Sequence, residues 1–177
     1  VELDCDDGRD NDGDGLFDCD DPDCADDLAC NACAKSLPIA CGDTLTADTQ
    51  PFSNRLNGYA CSGWDESGGE VVFTYVSLGT GAVTAEIESM NADLDLFILT
   101  GDCSASACAA GNYGDNTVTF DVVAGETYYL VVDGHRGAAG AFDITLSCDV
   151  VIPENCGDGI DNNDDGLTDC DDPDCAR

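Results

Sequence analysis

The feature that most constrains this chain is an acidic loop, framed by cysteines, that occurs twice. Residues 5–25 read CDDGRDNDGDGLFDCDDPDCA and residues 156–176 read CGDGIDNNDDGLTDCDDPDCA. The offset is 151 residues throughout, with no gap, and 16 of 21 positions are identical. Cys5, Cys19 and Cys24 correspond to Cys156, Cys170 and Cys175. Neither copy has the period of a helix or a strand. Each is a run of Asp, Asn and Gly with one or two apolar anchors, Leu16 and Phe17 in the first and Leu167 in the second.

Packed like charges oppose a compact state, so such a segment either stays unfolded or folds around cations. Residues 1–33 hold thirteen acidic residues and one basic residue, and residues 149–177 hold ten and one. The spacing points to cations. Counted from Asp10, the residues Asp10, Asp12, Asp14, Gly15, Asp18 and Asp21 fall at positions 1, 3, 5, 6, 9 and 12. A calcium ion takes about six to eight oxygens, and a twelve-residue loop supplies them from positions 1, 3, 5, 7, 9 and 12. Position 7 contributes a backbone carbonyl, here that of Leu16, and position 6 requires glycine for a sharp turn. The second copy repeats the set with Asp161, Asn163, Asp165, Leu167, Asp169 and Asp172 around Gly166. A solvated acidic linker has no reason to hold glycine and leucine in one register twice. Cysteines stand where flanking helices would be, so the loops are read as stapled by disulfides. The spare carboxylates, Asp7, Asp20, Asp23, Asp158, Asp171 and Asp174, leave room for a second ion per loop.

Thirteen cysteines in 177 residues point to an oxidising compartment and a secreted or cell-surface protein. The count is odd, so one thiol is free or links two molecules. Cys103 and Cys108, bracketing four residues, are expected to pair, and Cys30-Asn-Ala-Cys33 reads as structural, since no βαβ context follows it. A net charge of −33 excludes nucleic acid as a partner and an anionic membrane as a surface. No stretch approaches the roughly 20 apolar residues that span a bilayer, so membrane insertion is not expected.

Between the loops the pattern changes to period-2 alternation, the signal of half-buried strands. Val83, Ala85 and Ile87 alternate with polar residues, as do Val118, Phe120 and Val122, and Phe142, Ile144 and Leu146. Further strands are expected at 70–77, 94–100 and 127–133, with Gly-rich breaks between. The expected fold is all-β: an antiparallel, jelly-roll-like sandwich of seven or eight strands over residues 34–149. The acidic modules occupy 1–33 and 150–177. Asp93 and Asp95 suit either ion ligation or the solvent-facing half of an alternating strand, and the pattern favours the second. Trp64 suits either an exposed binding surface or a cover for one end of the core. His135 stands alone in a Gly-rich loop beside Arg136, without the partners of a catalytic triad.

The loop pattern DxDxDGxxDxxD with flanking cysteines resembles the thrombospondin type 3 calcium repeat. Its longer form is similar to a metal-binding motif common in large secreted bacterial surface proteins. Residues 37–148 resemble a bacterial pre-peptidase C-terminal domain. The resemblance is carried by Ile39-Ala-Cys41-Gly42-Asp43, Asn57-Gly-Tyr59-Ala-Cys61, Gly69-Glu70-Val-Val-Phe73, Asp93-Leu-Asp95-Leu-Phe-Ile-Leu99, Tyr128-Tyr-Leu-Val-Val-Asp133-Gly134 and Phe142-Asp-Ile-Thr-Leu-Ser-Cys148. It implies an eight-stranded sandwich used as a non-catalytic binding, solubility or assembly module. No nucleophile elbow, metalloprotease helix or phosphate loop is present, so no enzyme is expected. The chain therefore reads as an extracellular, calcium-stabilised structural unit joined head to tail through its terminal loops. Its expected partners are further copies or tandem neighbours. The alternative is an adhesive module that binds a glycan or protein through Trp64, Tyr59 and Tyr113 and the loops around 133–140.

Overall fold

In a computed structural model the chain folds into two facing β-sheets. The structure describes residues 1–5, 8–16, 21–24, 30–50, 52, 54–101, 103–112, 116–163 and 165–175. Nine strands are formed among them: β1 (Leu37–Pro38), β2 (Thr44–Asp48), β3 (Val71–Val76), β4 (Thr80–Glu88), β5 (Leu94–Thr100), β6 (Cys108–Gly111), β7 (Thr117–Val122), β8 (Thr127–Gly134) and β9 (Ala141–Val151). The helical pieces described are 3₁₀ turns of three or four residues. One sheet has the order β1-β3-β8-β5-β6 and the other β2-β9-β4-β7. Counting β2 as the first strand and setting β1 aside, the sheets read 2-7-4-5 and 1-8-3-6, the order of a jelly roll. The all-β sandwich expected from the alternation is the fold observed.

The four-stranded sheet follows the alternation closely. Along β7, Val118, Phe120 and Val122 are buried while Thr117, Thr119 and Asp121 are exposed. Along β9, Phe142, Ile144 and Leu146 turn inward. They meet Phe73, Leu96, Ile98, Leu130 and Val132 of the opposite sheet in one continuous core. Phe73 and Phe142 touch edge to face across the two layers, with centroids 6.2 Å apart.

The five-stranded sheet departs from the alternation. Leu94 through Leu99 are buried without interruption, so Asp95 is buried and does not face solvent. The cause is a second apolar layer on the outer face of this sheet, where Leu56 and Tyr59 pack on Val72, Phe97, Leu99 and Val131. The Tyr59 ring stacks on Phe97 at 4.0 Å. A strand buried on both faces reads as a continuous apolar run, and here the run includes an aspartate.

Disulfides fasten this covering layer. Cys33 pairs with Cys103 and Cys61 with Cys108, so the expected Cys103–Cys108 bridge is not formed. Two cysteines five residues apart each find a partner on the overlying segment, at Cα separations of 5.9 and 5.4 Å. Cys41–Cys148 ties the approach to β2 onto β9 and closes 107 residues of chain. Such closures stabilise chiefly by restricting the unfolded chain.

Candidate functional site

The terminal loops are built to one plan. Cys5 pairs with Cys24 and Cys156 with Cys175, each closing 19 residues. Inside each ring the first aspartate is clamped by backbone amides. Asp10 accepts from Gly13 N at 2.6 Å and from Gly15 N at 2.9 Å. Asp161 accepts from Asp165 N at 3.2 Å and Gly166 N at 2.8 Å. Gly15 and Gly166 have φ of 98° and 94°, a left-handed conformation that favours glycine at the turn. One step further, Leu16 N donates to Asp14 and Leu167 N to Asp165, both at 2.9 Å. The side chains of Leu16 and Leu167 remain partly exposed.

These turns gather the carboxylates. Oxygens of Asp10, Asp12 and Asp14 lie within 4.8 Å of one another, and Asp12 belongs to a second such group with Glu2 and Asp21. Two oxygen clusters therefore share one aspartate. Asp18 lies outside the described residues. In the second loop, Asn163 Nδ2 donates to Asp172 Oδ2 at 3.1 Å, placing positions 3 and 12 together. The carboxylate of Asp169 accepts from the amides of Asp158 and Gly159 instead.

Glu2 and Glu154 lie outside the aligned repeat. Glu2 accepts from Asn11 N at 2.9 Å, and Glu154 from Asn162 N at 2.8 Å. Asn11 and Asn162 return the bond, taking the amides of Asp4 and Asn155 on their side-chain oxygens. The two glutamates thus occupy equivalent places although they stand three and two residues before the first cysteine. That one-residue slip hides them from a gapless comparison. A glutamate just upstream of the first cysteine in both copies was the available signal.

The inner carboxylates are buried. Glu2 is 6% exposed and Asp21 2%, and Glu2 Oε1 and Asp21 Oδ2 have no hydrogen-bond partner. A buried carboxylate oxygen without a partner is costly unless positive charge meets it. The N-terminal ammonium of Val1 reaches Asp12 at 2.8 Å and lies 3.4 Å from Asp23. Asp172 and Glu154, at 2% and 9% exposure, repeat the buried pair in the second loop.

Cysteine accounting agrees with the odd number. Cys30 is disulfide-bonded, and among the described residues Cys170 is a free, exposed thiol. Among these residues no helix is long and apolar enough to cross a membrane. The disulfides point to folding in an oxidising, extracytoplasmic setting.

The sandwich presents a different surface. Trp64 is 41% exposed and lines an open pocket with Asp93, Asp95, His135 and Arg136. His135 is no free turn residue: its Nδ1 lies 3.4 Å from Glu66 Oε1, and its side chain is 19% exposed. Tyr59, considered as a surface contact, is buried and donates its hydroxyl to Asp133 at 2.7 Å. Tyr113 lies outside the described residues.

No protein-family model matches the chain. Over 30 residues, 17% of this chain, it is 60% identical to teneurin-1 of Gallus gallus and to teneurin-1 of Homo sapiens. The match spans about 1% of the length of those relatives. The fold is similar to a pre-peptidase C-terminal domain of collagenase from Bacillus anthracis. There the TM-score is 0.46 and the identity 12%, over 64% of this chain and 95% of that one. Aeromonas hydrophila PliG, a periplasmic inhibitor of g-type lysozyme, gives 0.43 at 13% identity over 63% and 96%. A family 35 carbohydrate-binding module from an environmental isolate gives 0.34 at 12% over 63% and 90%.

Proposed function

We propose that this chain is a non-catalytic, calcium-ordered module of an extracellular structure, and that its two terminal loops are the calcium sites and the joints to neighbouring units. The observation that carries the reading is the repeated inner shell. In both loops a glutamate from before the first cysteine and the aspartate at position 12 are buried, and the aspartate meets the residue at position 3; in the first loop Glu2 joins that cluster, and in the second Glu154 holds the amides of Asn162 and Asp169. Every side-chain donor in the first loop is oxygen, which suits a hard cation such as calcium and not a thiophilic or imidazole-seeking metal. The ligands proposed are Asp10, Asp12, Asp14, the carbonyl of Leu16, Asp18 and Asp21, with Glu2 added. In the second loop they are Asp161, Asn163, Asp165, the carbonyl of Leu167, Asp169 and Asp172, with Glu154 added. The role is structural: the ion offsets like-charge repulsion and fixes the loop between its disulfide and the sandwich.

The joint role is supported by how the loops are attached. The first leads into the 3₁₀ turn Ala32–Lys35, which packs on the five-stranded sheet and is bolted there by Cys33–Cys103. The second runs directly off β9 of the four-stranded sheet, beside Thr80. Two like elements on different sheets suit head-to-tail contacts, which build open filaments. Light scattering of the full chain with ~5 mM calcium, above the dissociation constants of extracellular sites, and then with excess chelator tests this. The expected result is larger particles with calcium and dispersal on chelation; particles of unchanged size would remove the joint.

A second reading, a glycan-binding face, is favoured by the half-exposed Trp64 at the pocket rim. It predicts a glycan-array signal that Trp64→Ala abolishes, and an array signal that survives the substitution ends it.

A further inference from the structure

Three segments of the sandwich meet beside Trp64, and each brings one metal-binding side chain. Glu66 comes from the segment covering the five-stranded sheet, Asp95 from β5, and His135 from the turn after β8. One donor atom of each lies within 4.8 Å of the other two. The segments are sewn together by backbone bonds. His135 N donates to Asp93 O at 3.0 Å, Arg136 N to Asp65 O at 2.7 Å, and Gly68 N to Gly134 O at 2.8 Å. The approach is so close that a Cβ on Gly68 would stand 2.3 Å from Ala138 O, and one on Gly134 1.8 Å from the same atom. Arg136 is held at φ 51°, ψ 41°, the left-handed region that non-glycine residues seldom adopt. The geometry of the three side chains is thus set by backbone, not by side-chain chance.

The cluster sets two buried acids against a single imidazole. Glu66 is fully buried, its Oε1 lies against His135 Nδ1, and its Oε2 has no hydrogen-bond partner. Asp95, 5% exposed, is the other acid in contact with it. Two buried carboxyls side by side need a proton or a cation between them. Burial first, and then the neighbouring Asp95 charge, raises the Glu66 pKa; burial and Asp93 raise that of Asp95. A calcium site would be all oxygen, whereas this set mixes one imidazole with two carboxylates, the donor set of a borderline divalent ion.

We propose that Glu66, Asp95 and His135 form a binding site for a divalent ion of the zinc class, separate from the acidic terminal loops. Three protein ligands leave coordination positions open, as in zinc sites that retain water. Asp95 and His135 line the pocket beside Trp64, so those positions give onto solvent.

The chain itself supplies the reporter. Trp64 is its one tryptophan, and its ring lies 5.9 Å from that of His135. Cobalt(II), which replaces zinc and quenches indole emission, is titrated into the full chain with the terminal loops first saturated by calcium. The expected result is saturable quenching with one equivalent, reversed by zinc. His135→Ala should weaken it at least ~10-fold, on the scale of lost metal-site partners, with the circular dichroism of the folded chain unchanged. Glu66→Gln is the second variant and should have the same effect on the metal. Quenching that rises linearly without saturation, or saturates equally in His135→Ala, overturns the site. So does the absence of any response, which would mean that the carboxyls share a proton instead.

Discussion

The outer acids of the first terminal loop and the acids of the sandwich live under opposite conditions. In the loops Asp10, Asp12 and Asp14 stand in the open, and each accepts amides of its own turn. In the sandwich Glu66, Glu70, Asp95 and Asp133 are at most 5% exposed, and Glu66, Glu70 and Asp133 each meet a group distant in sequence. Glu70 accepts the Arg55 amide on both oxygens at 3.0 Å, and Asp133 takes the Tyr59 hydroxyl and the Gly134 amide. The loops therefore have little to fold around except an ion, while the sandwich folds around its apolar core and carries buried acids within it. Stability of the two regions should respond to different variables.

The largest expected effect lies in the sandwich. Phe73 is fully buried between the sheets, and Phe73→Ala should cost about 3–5 kcal/mol of unfolding free energy. Denaturant titration should give the same loss with calcium and with chelator. A loss that appears only in one of the two conditions would break the separation of the regions.

The pH response comes next. Burial pushes the Asp133 carboxyl up to about 8, despite the Tyr59 hydrogen bond, and Glu70 up to about 7. The folded state then binds more protons than the unfolded chain between the ordinary carboxylate range and pH ~8, so stability falls as pH rises through that window. With calcium fixed at saturation, unfolding at pH 5 should require several kcal/mol more than at pH 8. Asp133→Asn, which keeps an acceptor for Tyr59, should flatten the slope. A stability that rises steadily with pH would contradict the assignment.

The smallest effect sharpens the loop side. Glu2→Gln should lower calcium affinity of the first loop roughly tenfold, by removing charge from its inner cluster. It should leave unfolding of the sandwich core unchanged. Equal calcium affinity in the variant would remove Glu2 from the ligand set.

The contrast also explains what could be read in advance. Loop chemistry is local: alternate aspartates, a glycine at the turn and a cysteine frame all fall within 21 residues and repeat. Half of the sandwich was legible for the same reason, since β4, β7 and β9 alternate in plain view. The burial of Asp95 and the pairing of His135 are not legible locally, because their surroundings include residues 54–70, a polar segment with no strand signal that covers the five-stranded sheet. Alternation reports burial only when one face is open, and a covering layer tied down by Cys61–Cys108 removes that condition. The disulfides were hidden for the same reason. Spacing suggested a local Cys103–Cys108 bridge, but the fold sends the two cysteines to separate partners.

The most direct test of the central claim is a calorimetric calcium titration of the full chain. It is run beside a variant carrying Asp10→Ala and Asp161→Ala, which removes the clamped first ligand of each loop. The account predicts at least one calcium bound per loop, with dissociation constants no weaker than the ~10⁻⁴–10⁻³ M range of extracellular modules. It predicts a thermal transition raised by calcium in the native chain and unmoved in the variant. No binding heat and no thermal shift at saturating calcium, or equal uptake by the variant, would contradict it.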